Sequence, residues 1–518
     1  MIPDIALPNL FVAQPGQLVL PVVLPLLAAF LMQPLARVST ALARGLGPLV
    51  LILSAWITAQ LWIQLGDAPF TLAIGGFAPP LGILFYADGI ALLFALAVPV
   101  FALLFWPGSG SGGDAVAGSG PDSNQADRDQ AARRDALVLL LVAATTGLAL
   151  SGDLFNLYVF YELAAVASFG LVALSGTGRA QVATFRYLMI SAFGSVLALV
   201  GIAILYMQTG TLNLGQIAQL APETLNNPIG SAAFALMLIG FGVKAELFPV
   251  NTWVPEVYAG APARVSALLA GLVSKLAVLV IVRLLVLIFP QPEAAQMLLV
   301  LGVLGVLTGE FAAWRAKDFP RMLAFSSIGQ LGIVFVAFSI GGEIGLLAGL
   351  AVALHHLIVK SALFGLAVRW NGSLEALSGA ARTSPLGAAL FVLFALSLVG
   401  VPPLPGFWAK LTVLIGLAER GTPLDMTALM VILLVTAVEA SYLFRVAIRL
   451  YQDNPDPVAP HARRDLGVAA LLGAVLVAAT LGLRPVADVL GAGAAQLGDR
   501  AGYIETVFPS HVAGKDRP

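Results

Sequence analysis

Cysteine is absent from this 518-residue chain, and charged residues make up only 11% of it. Without a thiol, the chain can form no disulfide, iron–sulfur cluster or thiolate metal site, and it offers no cysteine nucleophile. Soluble domains are about 25% charged, so this composition belongs to a lipid bilayer and excludes a soluble or interfacial enzyme. Nucleic-acid binding requires a basic surface, so the formal net charge of −1 argues against a nucleic-acid partner.

Apolar residues, by contrast, make up 59% of the chain. They gather into runs that approach the roughly 20 residues a helix needs to cross the hydrocarbon core. The pattern predicts an all-α integral membrane protein with about fourteen transmembrane helices. The first residues lack a basic region, so the first run is expected to be a retained span and not a cleaved signal. The expected spans are 18–35, 47–64, 81–107, 136–151, 154–175, 186–207, 228–250, 264–289, 297–314, 322–340, 345–368, 385–417, 428–448 and 466–486.

The loops between these runs differ in their basic residues. Odd-numbered loops hold sixteen lysines and arginines, whereas even-numbered loops hold only Arg420 together with several acids. Basic loops stay on the cytoplasmic side of a membrane. Both termini are therefore expected to face outward, and the alternation supports an even number of spans.

One stretch interrupts the apolar pattern. Residues 108–130 are rich in Gly, Ser and Asp and cannot bury a core, so a flexible cytoplasmic linker is predicted at 108–135. A regulatory or docking role for this linker is the less favoured alternative. The predicted organisation is three N-terminal helices at 1–107, the linker, a first repeat at 136–289, a second repeat at 297–450, and a last span with a tail at 451–518.

Ionisable residues fall inside several predicted spans, where each charge costs a few kcal/mol and is a candidate for function. Asp88 and Arg445 lie near the ends of their runs, where the side chain can snorkel to the interface. Glu162 and four lysines lie near the middle of theirs. The acids are Asp88, Glu162, Glu246, Glu310 and Glu439, and the bases are Lys244, Lys275, Arg283, Lys360, Lys410 and Arg445.

The mid-span lysines favour proton transfer over structural ion pairing. Buried ion pairs contribute little to stability, and lysine is the base whose protonation changes most readily on desolvation. The alternative, that each lysine pairs permanently with a buried acid, stays open. Sodium prefers oxygen ligands, and the absence of a dense oxygen cluster in the sequence suggests that this chain carries mainly protons.

Two adjacent histidines precede Lys360. His356 lies four residues before it and therefore on the same helix face, which suits a relay between imidazole and ammonium. His355 points about 100° away and is expected to pack or to form an interhelical hydrogen bond.

Prolines interrupt two of the predicted spans. Pro249 follows Lys244 by five residues, and three prolines at 402, 403 and 405 precede Lys410. Membranes tolerate such breaks only where protein or water satisfies the freed backbone groups, and paired broken helices mark the ion path of many transporters. The broken spans are the seventh and the twelfth. Because their separation of five spans is odd, spans 4–8 and 9–13 are expected to form two inverted five-helix repeats.

Five segments resemble the antiporter-like family that Mrp multisubunit cation/proton antiporters share with the membrane arm of respiratory complex I. The resemblance covers roughly residues 80–450. The most specific segment, GDLFNLYVFYELAAVASFGLVAL at 152–174, is similar to the fifth helix of the D-type Mrp subunits. The other segments are FGVKAELFPVNTWVPEVYAGAPARVSALLAGLVSK at 241–275, AKDFPRMLAFSSIGQLG at 316–332, HHLIVKSALFGL at 355–366 and GVPPLPGFWAKLTVL at 400–414.

The resemblance implies roles for residues on these motifs. Glu162 and Lys244 would form an ion pair whose opening and closing gates proton transfer. Lys275 and Lys360 would carry protons along the membrane midplane. Lys410 would be the terminal switch toward one side or toward a neighbouring subunit.

The resemblance also implies a setting for the chain. It would be a secondary transporter subunit and not an enzyme, without cofactor or metal, in the bacterial cytoplasmic (inner) membrane. Its partners would be other antiporter subunits of the A, B, C, E, F and G types, exchanging protons for a monovalent cation such as Na+. Two rivals remain, a proton-pumping subunit of a respiratory quinone reductase or related membrane hydrogenase, and a membrane scaffold without translocation.

The D-type subunit is favoured over its relatives by length and by single residues. The A-type subunit would continue with extra domains, and the largest complex I relative would carry a long lateral helix after its last span. The middle complex I relative would have glutamate where Lys410 stands, and the remaining one lacks the segment at 152–174. Glu246 departs from the pattern, since a small or apolar residue is expected there. It would either retune Lys244 or face elsewhere, and Glu439 has no assigned place.

Overall fold

A computed structural model describes residues 15–66, 68–107, 121–368, 370, 372–454, 457 and 463–509. Almost all of this part is helical. At the N-terminus, a 3₁₀ turn at Pro15–Val19 leads into α1 and α2, followed by a two-stranded antiparallel hairpin that pairs Phe70 with Ala87. The elements are α1 (Leu20–Val38), α2 (Thr40–Leu65), β1 (Phe70–Ala73), a 3₁₀ turn (Ile74–Gly76), β2 (Leu84–Ala87) and α3 (Gly89–Leu104).

The hairpin corrects the predicted third span. Residues 84–87, placed at the start of an 81–107 helix, form β2, and the helix begins only at Gly89. Asp88 is the reason, because its carboxylate accepts a hydrogen bond from the backbone N–H of Ala91 at 2.7 Å. Such an N-cap satisfies one of the free donors at a helix start and defines where the helix begins.

The next eight helices form the first unit. They are α4 (Pro121–Leu150), α5 (Leu154–Ala173), α6 (Gly178–Thr209), α7 (Leu214–Thr224), α8 (Pro228–Gly242), α9 (Val254–Gly260), α10 (Ala263–Leu268) and α11 (Ser274–Leu287). A π-helical segment, Leu269–Val273, joins α10 to α11.

The second unit repeats this order of elements. It consists of α12 (Pro292–Arg315), α13 (Phe319–Ile340), α14 (Gly342–Ala367), a 3₁₀ turn (Glu375–Leu377), α15 (Ala380–Thr383), α16 (Pro385–Val399), α17 (Pro405–Arg420) and α18 (Pro423–Tyr451). In both units three long helices precede a short segment, a broken helix and a final long helix. Three helices close the described chain: α19 (Arg463–Leu481), α20 (Leu483–Gly498) and α21 (Arg500–Val507).

Both expected helix breaks are present. The chain leaves helical geometry between α8 and α9, at residues 243–253, and again between α16 and α17, at residues 400–404. Gly400 has a φ of 89°, which a residue with a Cβ rarely adopts, and Pro405 occupies the first turn of α17, where its missing N–H costs nothing.

Two other predictions differ from the structure. The linker predicted at 108–135 is helical from Pro121 onward, because α4 extends the predicted 136–151 span back by about four turns; residues 108–120 lie outside the described part of the chain. The predicted last span, 466–486, ends at Leu481 in α19, and helices α20 and α21 follow it in the predicted tail. The buried face of α20 includes Leu490 and Leu497.

Ten helices of the described chain are long and apolar enough to cross a membrane, and three shorter apolar helices, α3, α8 and α16, accompany them. The protein is therefore a multi-pass membrane protein of helical fold, while the count of fourteen spans stays a prediction. Segment Ala263–Leu287 and helices α13 and α14 are largely or wholly buried inside the protein. Helices α1, α6 and α18 instead expose large apolar side chains such as Phe30, Phe193 and Leu434, which suits contact with lipid.

Glycines bring α12 and α13 into close contact. A Cβ on Gly309 would lie 2.4 Å from the backbone nitrogen of Gly329, and one on Gly332 would lie 2.6 Å from that of Val306. Small residues of this kind let membrane helices approach backbone to backbone. The contact presses the Glu310 carboxylate against Gly329 and so holds an acid in the protein interior.

Candidate ion-translocation site

Lys244 lies in the break between α8 and α9, directly after the last turn of α8, and is almost fully buried. Its ammonium is 3.3 Å from the centroid of the Tyr161 ring and donates to the Ser191 hydroxyl at 3.4 Å. The Tyr161 hydroxyl donates to the carbonyl of Gly240 at 2.9 Å and accepts the backbone N–H of Lys244 at 3.4 Å. Tyr161 thus contacts both the backbone at the helix break and the ammonium of Lys244.

Glu162, the neighbour of Tyr161 on α5, does not form the expected ion pair in this conformation. Among the described residues, no carboxylate is within ion-pair distance of Lys244, and the Oε1 atom of Glu162 is buried without a hydrogen-bond partner. The two charges remain within electrostatic range of each other. The geometry is that of an open pair, with the lysine resting on neutral groups.

Lys275 lies two residues beyond the π-helical segment and is buried. Its ammonium donates to the carbonyl of Ala270, within that segment, and to the Ser274 hydroxyl at 3.1 Å. A π segment leaves carbonyls less fully used than an α-helix and often occurs at functional sites. The local distortion therefore provides an uncharged partner for a buried cation.

Lys360 on α14 also has neutral partners. It donates to the Ser326 hydroxyl at 2.6 Å and to the carbonyl of Leu323 at 3.4 Å, both on α13. Three acids, Glu246, Glu310 and Glu439, lie within electrostatic range of it. Lys360 thus lies within electrostatic range of acids from both units.

The two histidines differ as the spacing predicts. The His355 ring forms a 2.8 Å hydrogen bond with the Ser397 hydroxyl on α16, an interhelical contact. His356 is fully buried, and neither of its ring nitrogens has a hydrogen-bond partner within the described chain. Lys275 and Lys360 lie within electrostatic range of His356. The relay between imidazole and ammonium stays a prediction.

Lys410 on α17 differs from the other lysines because it has an acidic partner. Its ammonium is 2.6 Å from Oε2 of Glu439 on α18, and Gln330 on α13 donates to Oε1 at 2.7 Å. Glu439, which the sequence could not place, is thus the counter-ion of Lys410. Close by, Tyr442 donates to Glu310 at 2.8 Å.

Glu246 faces away from Lys244. It is the only described non-glycine residue with positive φ, at 60°, and this backbone turn directs the carboxyl toward α9. The Tyr258 hydroxyl donates to its Oε1 at 2.7 Å. The sequence left two alternatives for Glu246, retuning Lys244 or facing elsewhere, and the structure favours the second.

Asp88 and Arg283 form a separate buried contact. Nη2 of Arg283 lies 2.9 Å from both carboxylate oxygens of Asp88. Since Asp88 also caps α3, it has a structural task that accounts for its burial. Arg445 is partly exposed and donates weakly to the carbonyl of Trp314, in line with a residue near a span end.

The buried groups are titratable, and within the described ranges no cluster of three or more His, Asp or Glu residues has the geometry to hold a metal ion. The partners of Lys244, Lys275 and Lys360 are hydroxyls, carbonyls and one aromatic ring. A strong counter-ion would hold the proton on the lysine nitrogen permanently, whereas these neutral partners stabilise the proton and still allow it to leave.

A family model described as "NADH:quinone oxidoreductase/Mrp antiporter, TM" matches residues 151–437. These residues include both broken helices and all four buried lysines. This match covers more than half of the chain. The chain belongs to this family.

Within the NADH:quinone oxidoreductase/Mrp antiporter family, the chain is similar to subunits of quinone oxidoreductases and to subunits of antiporters. It is 32% identical to the N-type subunit of the NADH-quinone oxidoreductase of Desulforudis audaxviator over 86% of this chain and 90% of the relative. It is 28% identical to the D-type subunit of the Na(+)/H(+) antiporter of Bacillus subtilis over 95% of this chain and 99% of the relative. Its structure matches a chain of the Mrp complex from Dietzia sp. with a TM-score of 0.85 and 27% identity, covering 95% of this chain and 99% of that one.

Sequence reasoning missed the neutral partners of the charges. Tyr161 is adjacent to Glu162, and Tyr442 lies three residues after Glu439, hence on the same helix face. The polar run of Ser326, Ser327 and Gln330 stands out in an otherwise apolar α13. Polar and tyrosine side chains inside otherwise apolar spans are the signal that could have found these partners.

Proposed function

We propose that this chain is the proton-translocating subunit of a multisubunit monovalent cation/proton antiporter of the Mrp type, corresponding to its D-type subunit. The observation that carries the proposal is the state of the buried lysines. Within the described chain, Lys244, Lys275 and Lys360 have no carboxylate at ion-pair distance and bond only to neutral groups. A buried ammonium without a counter-ion is costly, so these groups are suited to alternate between charged and neutral forms.

The proposed route runs from Glu162 and Lys244 in the first unit through Lys275, His356 and Lys360 to Lys410 in the second. Each of these residues lies on a different helix or at a break, apart from His356 and Lys360, which share α14. A proton would pass along this route as each lysine in turn gains and loses charge. The chain would act as a secondary transporter and would catalyse no covalent chemistry.

The assembly is proposed from the relatives. The curated relative from Bacillus subtilis is named as one subunit of a Na(+)/H(+) antiporter, and the Dietzia structure is of an Mrp complex. This chain would function with the other subunits in a bacterial cytoplasmic membrane, with both termini outside. A purified lone chain should show little or no antiport.

A second candidate has a specific observation in its favour, the similarity to the N-type subunit of an NADH-quinone oxidoreductase over most of both chains. In that case the same route would be driven by redox chemistry in partner subunits. The two functions differ in what starts proton movement, which is a cation gradient in one and electron transfer in the other.

Everted membrane vesicles from an antiporter-deficient bacterium test the proposal. The whole complex is expressed with this chain, without it, or with Lys244→Ala, and a pH gradient is formed by respiration. We expect added Na+ or K+ to dissipate the gradient only with the intact complex. Glu343→Gln, which alters an exposed acid at the start of α14, is the matched control and should behave as the wild type. A gradient that is insensitive to every monovalent cation would overturn antiport, and quinone-dependent proton pumping would then support the second candidate.

A further inference from the structure

Glu246 is a buried acid that belongs neither to the expected Glu162–Lys244 pair nor to the Lys410–Glu439 pair. It lies in the break between α8 and α9 and is 1% exposed. Two neighbouring contacts hold the backbone there: Asn251 donates to the carbonyl of Glu246 at 3.2 Å, and the Trp253 indole donates to the carbonyl of Val243 at 3.0 Å. The conformation of the unwound segment thus sets the direction in which the Glu246 carboxyl points.

Tyr258 holds the carboxyl in place. Its hydroxyl donates to Oε1 of Glu246, and its ring packs edge-on against Trp253 and Phe364 at 5.8 and 5.4 Å between centroids. Aromatic contacts of this geometry fix the orientation of a ring. A carboxyl with one oxygen positioned by a fixed donor has its other oxygen available for exchange.

The second oxygen, Oε2, is buried and has no hydrogen-bond partner among the described residues. Ser327 on α13 faces the carboxyl, but its hydroxyl does not reach hydrogen-bonding geometry. An ionised carboxylate cannot stay buried with an unsatisfied oxygen unless a cation compensates it or a proton neutralises it. The structure therefore requires a positive partner or a proton at this position.

The positive partners are Lys275 and Lys360. Both lie within electrostatic range of Glu246, as do the hydroxyls of Tyr258 and Tyr187. Within the described chain, neither lysine has a carboxylate at ion-pair distance. Glu246 is thus an acid that Lys275 on α11 and Lys360 on α14 have in common.

This arrangement favours movement of one proton. One carboxylate compensates one ammonium, so the set is electrically neutral when one lysine is charged and the other is not. The charged form can be either lysine. We propose, on the basis of the function proposed above, that Glu246 is an additional proton-exchanging carboxyl between Lys275 and Lys360, positioned by Tyr258.

In the proposed step, an N–H bond of the Lys275 ammonium breaks and an O–H bond forms on the Glu246 carboxylate, which leaves all three groups neutral. The O–H bond then breaks and an N–H bond forms on the neutral Lys360, which leaves a carboxylate beside the new ammonium. Either transfer takes place directly or through the Ser327 hydroxyl or a water molecule. The net result is one proton moved from Lys275 to Lys360, with Glu246 restored.

The test combines infrared spectroscopy with transport on the same assembled complex. A pH-difference infrared spectrum should contain a carboxyl C=O band that Glu246→Gln removes and that Glu343→Gln leaves unchanged. Antiport should fall at least about tenfold in Glu246→Gln, because an acid–base step is lost. Glu246→Asp keeps an acid and should shift the band while retaining part of the transport.

Tyr258→Phe separates positioning from exchange. It removes the hydrogen bond but not the acid, so the band should remain, move in frequency and titrate at a different pH, with a matching change in the pH profile of antiport. A purely structural role for Tyr258 would leave the band and the profile unmoved.

The inference is overturned if the band is the same in wild type and Glu246→Gln, or if Glu246→Gln supports wild-type antiport. If Glu246→Gln does not assemble, Glu246→Asp decides, since an unshifted band there also contradicts the inference. The infrared band is measured independently of transport. A wild-type complex that shows the Glu246 band but no cation-dependent antiport would refute the proposed function and leave the exchange at Glu246 standing.

Discussion

The Lys244 ammonium lies over the face of the Tyr161 ring, 3.3 Å from its centroid, and not against the Glu162 carboxylate one residue further along α5. A cation over an aromatic face is attracted by the ring quadrupole, by about 2 kcal/mol when both are desolvated. In the proposed proton route, Tyr161 and Glu162 would be two alternative partners of the same lysine on one helix. The conformation described is the one in which the lysine is at the ring.

Removing the ring should therefore impair transport more than removing the hydroxyl. Tyr161→Leu loses the cation–π contact, worth about 2 kcal/mol or roughly thirtyfold in an equilibrium, and should strongly reduce antiport. Tyr161→Phe keeps the ring and loses only the contacts to the broken end of α8, so it should retain more activity. The measurement is the initial rate of gradient dissipation at several pH values, with complex assembly checked by gel. Equal losses in the two variants would show that the hydroxyl, and not the ring, is what Lys244 requires.

The two histidines should separate transport from stability. His356→Ala removes an imidazole within electrostatic range of Lys275 and Lys360 and should impair antiport more than His355→Ala. His355→Ala leaves the buried Ser397 hydroxyl unpaired, at a cost of about 1–3 kcal/mol, so it should lower the thermal stability more than His356→Ala does. Comparable antiport losses in two normally assembled variants would refute a relay at His356.

The Lys410–Glu439 pair should behave as a coupled unit. Lys410→Met leaves a buried carboxylate without its cation and should destabilise the protein by about 3–5 kcal/mol. Adding Glu439→Gln should recover most of that stability, since no charge is then left alone, yet antiport should stay lost. Denaturant unfolding of both variants in detergent measures the recovery. If the double variant is no more stable than Lys410→Met, the two residues are not partners in the folded protein.

Asp88, by contrast, should prove structural. Asp88→Ala removes both the N-cap of α3, worth about 1 kcal/mol, and the partner of the buried Arg283, so it should lower the thermal stability clearly. In the fraction that assembles, the antiport rate per complex should stay near the wild-type value. A well-assembled Asp88→Ala complex without transport would instead place Asp88 on the proton route.

Much of the architecture was predictable because a bilayer imposes simple requirements on a chain. The long apolar runs predicted a helical membrane fold, Pro249 located the break at Lys244, and the prolines at 402, 403 and 405 located the break ahead of Lys410. Short-range competition explains the errors. Asp88 divides the apolar run at 81–107 into strand β2 and helix α3 by capping the start of the helix, and helix α4 includes a polar stretch, 121–135, whose composition alone suggested a linker.

The residue types of the site were predictable, but its pairings were not. A buried lysine or glutamate is visible in the sequence because it is costly in an apolar run. Which group compensates it depends on helix packing and on backbone details, such as the positive φ of Glu246 or the π segment beside Lys275. These details have no periodicity that could be read from the sequence, so the roles of Glu246 and Glu439 required the structure.

Lys244 is expected to give up and regain a proton during transport, and the whole proposed route depends on this exchange. Glu162→Gln and Lys244→Ala should both abolish antiport in the assembled complex, whereas Glu162→Asp keeps a titratable acid and should retain part of it. Lys244→Arg is the decisive variant, because arginine keeps the charge but cannot release its proton.

The most direct measurement is the dissipation of a pH gradient on Na+ or K+ addition in everted vesicles that contain equal amounts of assembled wild-type or Lys244→Arg complex. If Lys244 titrates, Lys244→Arg should be nearly inactive despite normal assembly. Substantial cation-dependent dissipation by Lys244→Arg would mean that this lysine acts as a fixed charge, and it would contradict proton exchange at this position.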